Sequence, residues 1–154
     1  MTGAKRLWIG MLIVGLCTAA AVAAAPQNGL NWQKDIFAGH KESTRTGKPM
    51  LLVFGADWCV FCKKLEQTTL AEPEMVKYIN ENFVPVHLDL DREKQVASIL
   101  EIKSLPCTVV LSPDADVLAR IEGYAKAPAL YKQLAAAKKM QEGVAPASGS
   151  TTPR

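Results

Sequence analysis

The stretch Trp58-Cys59-Val60-Phe61-Cys62 constrains this chain more than any other, because it joins an apolar run, Met50 to Phe54, to a helix-patterned segment starting at Cys59. Two thiols separated by two residues at a strand-to-helix junction read as a redox pair. A cysteine in the first turn of a helix faces unpaired backbone N–H groups and the positive end of the helix dipole, and both favour thiolate over thiol. Thiolate is the attacking species in disulfide exchange. Cys62, one turn deeper on the same side, is placed to displace whatever Cys59 has captured. The competing reading is half of a zinc site or two core cysteines. A structural zinc wants four ligands, and the other candidates, Cys107, His40 and His87, stand alone in the sequence.

Of the 154 residues, 49% are hydrophobic and 21% charged, which suits one globular domain with tails. The formal net charge is +3, but removing Lys5 and Arg6 from the 18 Lys and Arg leaves 16 basic against 15 acidic groups. A near-neutral body argues against a nucleic-acid partner. Residues 1–25 have the parts of a secretory signal: Lys5-Arg6, an apolar run from Leu7, then small residues through Ala25. Cleavage is expected after Ala23 or Ala24. The same run approaches the roughly 20 residues needed to span a bilayer, so an uncleaved anchor is the alternative. Cys17 as a lipid-modified residue is a further reading, disfavoured by the large Leu16 before it. The expected division is a leader over 1–25, a linker over 26–31, a domain over 32–141 and a disordered tail over 142–154 rich in Pro, Ser, Gly and Thr. Without Cys17 three cysteines remain, the odd one being Cys107. An exported chain with this pair and no framework of structural disulfides fits a catalyst in an oxidising compartment.

Along the body, Trp32, Ile36 and Phe37 predict a helix over Trp32 to Thr46, stopped by Gly47-Lys48-Pro49. Met50 to Phe54 predicts a buried strand. The cysteine helix is expected from Cys59 to about Thr69, and Pro73 opens another running through Glu74 to Asn82. A strand follows over Val84 to Leu90, a helix over Asp91 to Glu101, a hairpin of Cys107 to Leu111 with Val117 to Ile121, and a closing helix over Pro128 to Met140. This order implies an α/β fold, a central mixed β-sheet with helices on both faces.

Over about Trp32 to Met140 the pattern resembles the thioredoxin family. The resemblance rests on Ala56-Asp57-Trp58-Cys59-Val60-Phe61-Cys62-Lys63 after a buried strand, on Leu105-Pro106 before a late strand, and on Gly123 after the hairpin. With Glu66 included, it is strongest to the periplasmic C-terminal thioredoxin domain of bacterial transmembrane thiol-disulfide transporters and to secreted thioredoxin-like proteins. The resemblance implies a thioredoxin fold, a Cys59–Cys62 disulfide, a cis bond at Leu105-Pro106 against the cysteines, and a substrate groove shaped by Trp58, Leu105 and Pro106. The Leu105 backbone would pair with extended substrate as an added strand does. Glu66 lies four residues after Cys62 and seven after Cys59, so a helix stacks the three on one face. There its carboxylate would keep Cys62 protonated until resolution and then take up the proton; the alternative is a surface Glu66 paired with Lys63.

Two positions depart from the family. Thioredoxins carry a buried acid where this chain has Val53, so proton transfer to the resolving cysteine must fall to Glu66, to water or to His87, which otherwise reads as a polar residue at a sheet edge. Cys107 stands where threonine is usual and is expected to be a buried, inert thiol, the alternative being exchange with the active pair.

These readings converge on an exported thiol-disulfide oxidoreductase acting on protein thiols and disulfides, with Cys59 attacking and Cys62 resolving. Val60-Phe61 adds no positive charge to stabilise the thiolate, which leans toward reduction of substrates. No cofactor is expected, and with no nucleotide-binding motif the electrons would come from a membrane donor. The rival is a binding protein whose two thiolates carry copper or another soft metal; no resident metal site is assigned.

Overall fold

A computed structural model describes residues 29–144. The leader or anchor reading for 1–25, residues 26–28 of the proposed linker and the tail beyond 144 lie outside the described residues. Five helices, α1 (Ile36–Thr46), α2 (Val60–Gln67), α3 (Pro73–Asn82), α4 (Lys94–Ile99) and α5 (Ala127–Val144), surround four strands, β1 (Met50–Gly55), β2 (Val84–Asp89), β3 (Cys107–Leu111) and β4 (Val117–Glu122). The sheet order is β2-β1-β3-β4, with β1 parallel to β2 and antiparallel to β3, and β3 antiparallel to β4. The expected mixed sheet is therefore present.

Every residue of β1 is buried, which explains its unbroken apolar run: it lies between two strands and has a helical layer on each face. On one face Leu51 and Val53 pack with Leu65 of α2, Ile79 of α3, and Leu130 and Leu134 of α5. On the other, Met50, Leu52 and Phe54 pack with Val86, Val109 and Ala97, and Ile36 of α1 closes over them. Each fully buried Leu or Ile in these layers contributes about 1.5–3 kcal/mol.

The helix borders differ from expectation where side chains capture backbone groups. α1 starts at Ile36 rather than Trp32 because Asp35 Oδ1 accepts the Ala38 N–H at 2.7 Å, which caps the helix. It ends at Gly47, whose φ of 70° suits a residue without Cβ and whose N–H donates to the Ser43 carbonyl at 2.8 Å. Its inward stripe is Ile36, Gly39 and Ser43, whereas Phe37 faces solvent. Gly39 allows close approach to the sheet: a Cβ there would stand 2.5 Å from Val86 Cγ2. α2 stops at Gln67 and gives way to a 3₁₀ turn, Thr69–Ala71. α4 is shorter than the expected Asp91–Glu101 helix. Asp89 Oδ1 takes the N–H groups of Asp91 and Arg92 into a turn, and Glu101 adopts a positive φ.

The domain edges also move. Leu30, assigned to the linker, is buried in the core, and the Gln33 N–H donates to the Pro85 carbonyl at 2.9 Å along the outer edge of β2. At the other end α5 continues through Val144, so residues 142–144, assigned to the tail, are helical.

Candidate functional site

Cys59 does not lie in the first turn of α2; it is the N-cap, with extended backbone. From there its Sγ accepts the Cys62 backbone N–H at 3.1 Å. The sulfur is thus bound to one of the unpaired donors of the helix start, an arrangement that favours negative charge on Cys59 whenever the pair is reduced. Cys59 and Cys62 are joined as a disulfide with Cα atoms 5.3 Å apart.

Both cysteines are almost covered, 6% and 3% exposed, while the residues around them are not: Trp58 is 65% and Val60 75% exposed, and Phe61 also faces solvent. The reactive bond therefore sits in a shallow recess under an apolar rim. Trp58 is oriented by Asp91, whose Oδ2 accepts the indole N–H at 2.9 Å. Leu105 packs against the small cluster of Ala56, Cys59 and Cys62. The Leu105–Pro106 peptide is cis, and the Pro106 carbonyl accepts the Gly123 N–H at 2.8 Å, tying this turn to the end of β4. Thus Trp58, Cys59, Cys62, Leu105 and Pro106, widely separated in the chain, meet at one end of the sheet.

Glu66 lies one turn beyond Cys62 on α2, held there by the buried Leu65 beside it. Its partner is His87 rather than Lys63: Glu66 Oε1 and His87 Nε2 are 2.9 Å apart, with the side chains 19% and 24% exposed. His87 projects from the α2 face of β2, where the Trp32 ring meets it edge-on at 5.8 Å between centroids. Both groups border the same space beside Gly55 as Cys62 does. A Cβ on Gly55 would lie 3.5 Å from Cys62 Cβ, 3.5 Å from His87 Nε2 and 3.6 Å from Glu66 Oε1. The reading of His87 as merely a polar edge residue missed this contact. The available signal was weak: His87 alternates with Val84, Val86 and Leu88, and so shares the face of β2 that Pro85 and Asp89 occupy.

Cys107 is free and buried in the other core layer, with Phe54, Leu88 and Ala97, rather than in the cluster that holds the disulfide. Burial pushes its thiol above the usual range, against a weaker opposing pull from Arg120. Among the described residues no group of three or more His, Cys, Asp or Glu is placed to hold a metal ion, and no helix is long and apolar enough to cross a membrane.

Comparison with known proteins places this geometry in a family. A thioredoxin-like domain model matches residues 37–138. The chain is 27% identical over 126 residues to the thioredoxin-related protein DsbJ of Chlamydia pneumoniae, covering 74% of this chain and 36% of that one. It is 31% identical over 86 residues to the thiol:disulfide interchange protein DsbD 1 of Pseudomonas aeruginosa, covering 47% of this chain and 15% of that one. The chain thus spans well under half the length of these relatives. Among solved structures, the DsbH oxidoreductase superposes with a TM-score of 0.63 at 20% identity, over 81% of this chain and 93% of that one, a likeness of fold.

Proposed function

This chain belongs to the thioredoxin-like family of thiol-disulfide oxidoreductases, and from that membership we propose that it is an exported enzyme that reduces protein disulfides through Cys59 and Cys62. The observation that carries this reading is the placement of Cys59 Sγ on the Cys62 N–H at the start of α2, beneath an exposed apolar rim.

In the reduced enzyme Cys59 thiolate attacks one sulfur of a substrate disulfide. A Cys59–substrate bond forms and the substrate's second sulfur leaves as thiolate. Cys62 then loses its proton and attacks Cys59 Sγ; the Cys59–Cys62 bond forms, the substrate's first sulfur leaves, and the substrate gains two electrons. Extended substrate would lie along the Leu105 backbone, with Trp58 against its side chains. Glu66 is the nearby carboxylate whose charge disfavours a second charge on Cys62 until resolution. Reduction is favoured over oxidation because Val60-Phe61 brings no charge to hold Cys59 as a stable thiolate. Sustained turnover then requires a dithiol donor, and for an exported chain that donor is a membrane protein. The leader over 1–25 supports export.

Insulin reduction tests the reading. The reduced chain should reduce insulin while its own 59–62 dithiol becomes disulfide, and Cys59→Ser should abolish the reaction. A folded wild-type chain that leaves insulin intact, or a Cys59→Ser variant that still reduces it, would overturn the assignment. In the Cys62→Ser variant the Cys59–substrate intermediate should accumulate as a mixed disulfide, visible on a non-reducing gel.

A further inference from the structure

We propose that His87 serves as the proton acceptor of the resolving step: paired with Glu66, it makes a carboxylate–imidazole couple that takes up the Cys62 proton, position 53 being a valine. The proposal rests on the Cys59/Cys62 reading above and extends it.

Position 53 on β1, where the resemblance noted in the sequence leads to the expectation of an acid, is a buried valine. Val53 and His87 are register partners on the parallel pair β1 and β2, so their side chains leave the same face of the sheet. The imidazole thus stands one strand away from the missing carboxyl. From there it reaches Glu66 Oε1 at 2.9 Å, and both groups approach the point beside Gly55 that Cys62 Cβ also approaches.

The chemistry favours a couple over a lone carboxylate. A thiol ordinarily titrates about four pH units above a carboxyl, so its proton passes to an isolated carboxylate only far uphill. An imidazole titrates about two units nearer to the thiol. With neutral His87 beside ionised Glu66, the couple carries one negative charge, which disfavours a second charge on Cys62 and holds it as thiol. As Cys62 attacks Cys59 Sγ, its proton moves to the couple, which becomes imidazolium and carboxylate with no net charge. The substrate thiolate leaves, and the partly exposed His87 returns the proton to solvent. Other groups facing the imidazole are the Trp32 ring, which carries no charge, and Asp89, two residues along β2, whose Oδ1 is engaged by the Asp91 and Arg92 N–H groups.

The test follows resolution in the full chain. The reduced protein is mixed with 2-hydroxyethyl disulfide and quenched in acid at intervals. The Cys59 adduct and the Cys59–Cys62 disulfide are then quantified by peptide mass mapping from about pH 5 to 9. In the wild type the adduct should decay faster as pH rises through the imidazole range. In His87→Gln, which keeps a hydrogen-bonding partner for Glu66 but cannot store a proton, that inflection should vanish and the adduct should persist about tenfold longer near neutrality. Formation of the adduct should be unchanged, since Cys59 attack does not use His87. Superimposable decay profiles would overturn the role of His87 while leaving the dithiol reading intact. A wild-type adduct that never resolves to the Cys59–Cys62 disulfide would overturn both.

A second measurement needs no substitution. The His87 Cε1–H NMR signal of the wild-type chain, recorded near neutral pH, should shift between the dithiol and disulfide states. The signal of His40, which donates to the Pro113 carbonyl at the far end of the sheet, should be the same in both. An identical His87 signal in the two states would also overturn the proposal.

Discussion

Val53 on β1 and His87 on β2 are register partners, and Val53 also faces Thr108 on β3, so a side chain at position 53 is enclosed from both sides within the sheet. Restoring the family's acid there should therefore be costly. Val53→Asp places a carboxyl at a site 1% exposed, and a loss of about 2–4 kcal/mol in unfolding free energy is expected. Part of the cost should be offset by the adjacent imidazole, so the loss should be greater in a His87→Phe background. Urea denaturation of the four proteins in this cycle measures the difference. Equal losses in both backgrounds would show that His87 does not reach this position electrostatically.

Trp58 is exposed, and its hydrogen bond to Asp91 is what orients it. Asp91→Ala should raise KM for a protein disulfide roughly two- to fivefold through a mobile indole, while stability changes by no more than about 0.5 kcal/mol, because Asp91 is a surface residue. Asp91→Asn retains an acceptor and should recover most of the loss. Steady-state kinetics with the three proteins decide; an unchanged KM in Asp91→Ala removes the orienting role.

The Cys107 thiol, raised by burial, gives stability a predictable dependence on pH. A folded-state value above the unfolded one means that the folded chain holds the proton more tightly. The contribution is complete below the unfolded thiol range and is lost as pH rises through the folded value. Cys107→Val fills similar space without titrating, so the difference between wild-type and variant stability should decline on the alkaline side and stay level below it. Denaturation curves of both proteins at a series of pH values, with the Cys59–Cys62 disulfide intact, provide the measurement. A level difference throughout would mean the thiol is not held neutral by the fold.

Gly39 sets how closely α1 lies on β2. Alanine would gain up to about 1 kcal/mol of helix propensity, but its Cβ would stand 2.5 Å from the stiff Val86 Cγ2, and overpacking of this kind costs about 1–3 kcal/mol. Gly39→Ala should lower stability by about 1–2 kcal/mol, read from thermal or urea unfolding. A stabilised variant would show that α1 can shift outward freely.

The parts of this protein that were legible in its residues are those whose physics is local. Met50 to Phe54 is apolar at every position, too short for a helix and bounded by turn residues, which reads as a strand covered on both faces. Cys59 and Cys62 are three residues apart, so one helical turn brings them together whatever the rest of the chain does. The Ser112 to Asp116 turn is likewise marked by adjacent residues, and the order of elements was enough to imply the sheet; the Leu105-Pro106 turn was reached only through the family resemblance. The borders of α1 and α4 were less legible because they depend on which backbone N–H groups Asp35 and Asp89 capture, and periodicity does not report that. Leu30 was hidden for another reason: an isolated apolar residue among polar neighbours carries no pattern until the core accepts it.

The proton-handling side of the site was decided only by the tertiary structure. Glu66 could be stacked under Cys62 from helix geometry, but its partner is 21 residues away on a strand, and Asp91 lies 33 residues from Trp58. Neither contact follows from any local period. Each depends on β2 pairing parallel to β1 in one register, because a shift of a single residue would turn His87 to the opposite face of the sheet and away from α2.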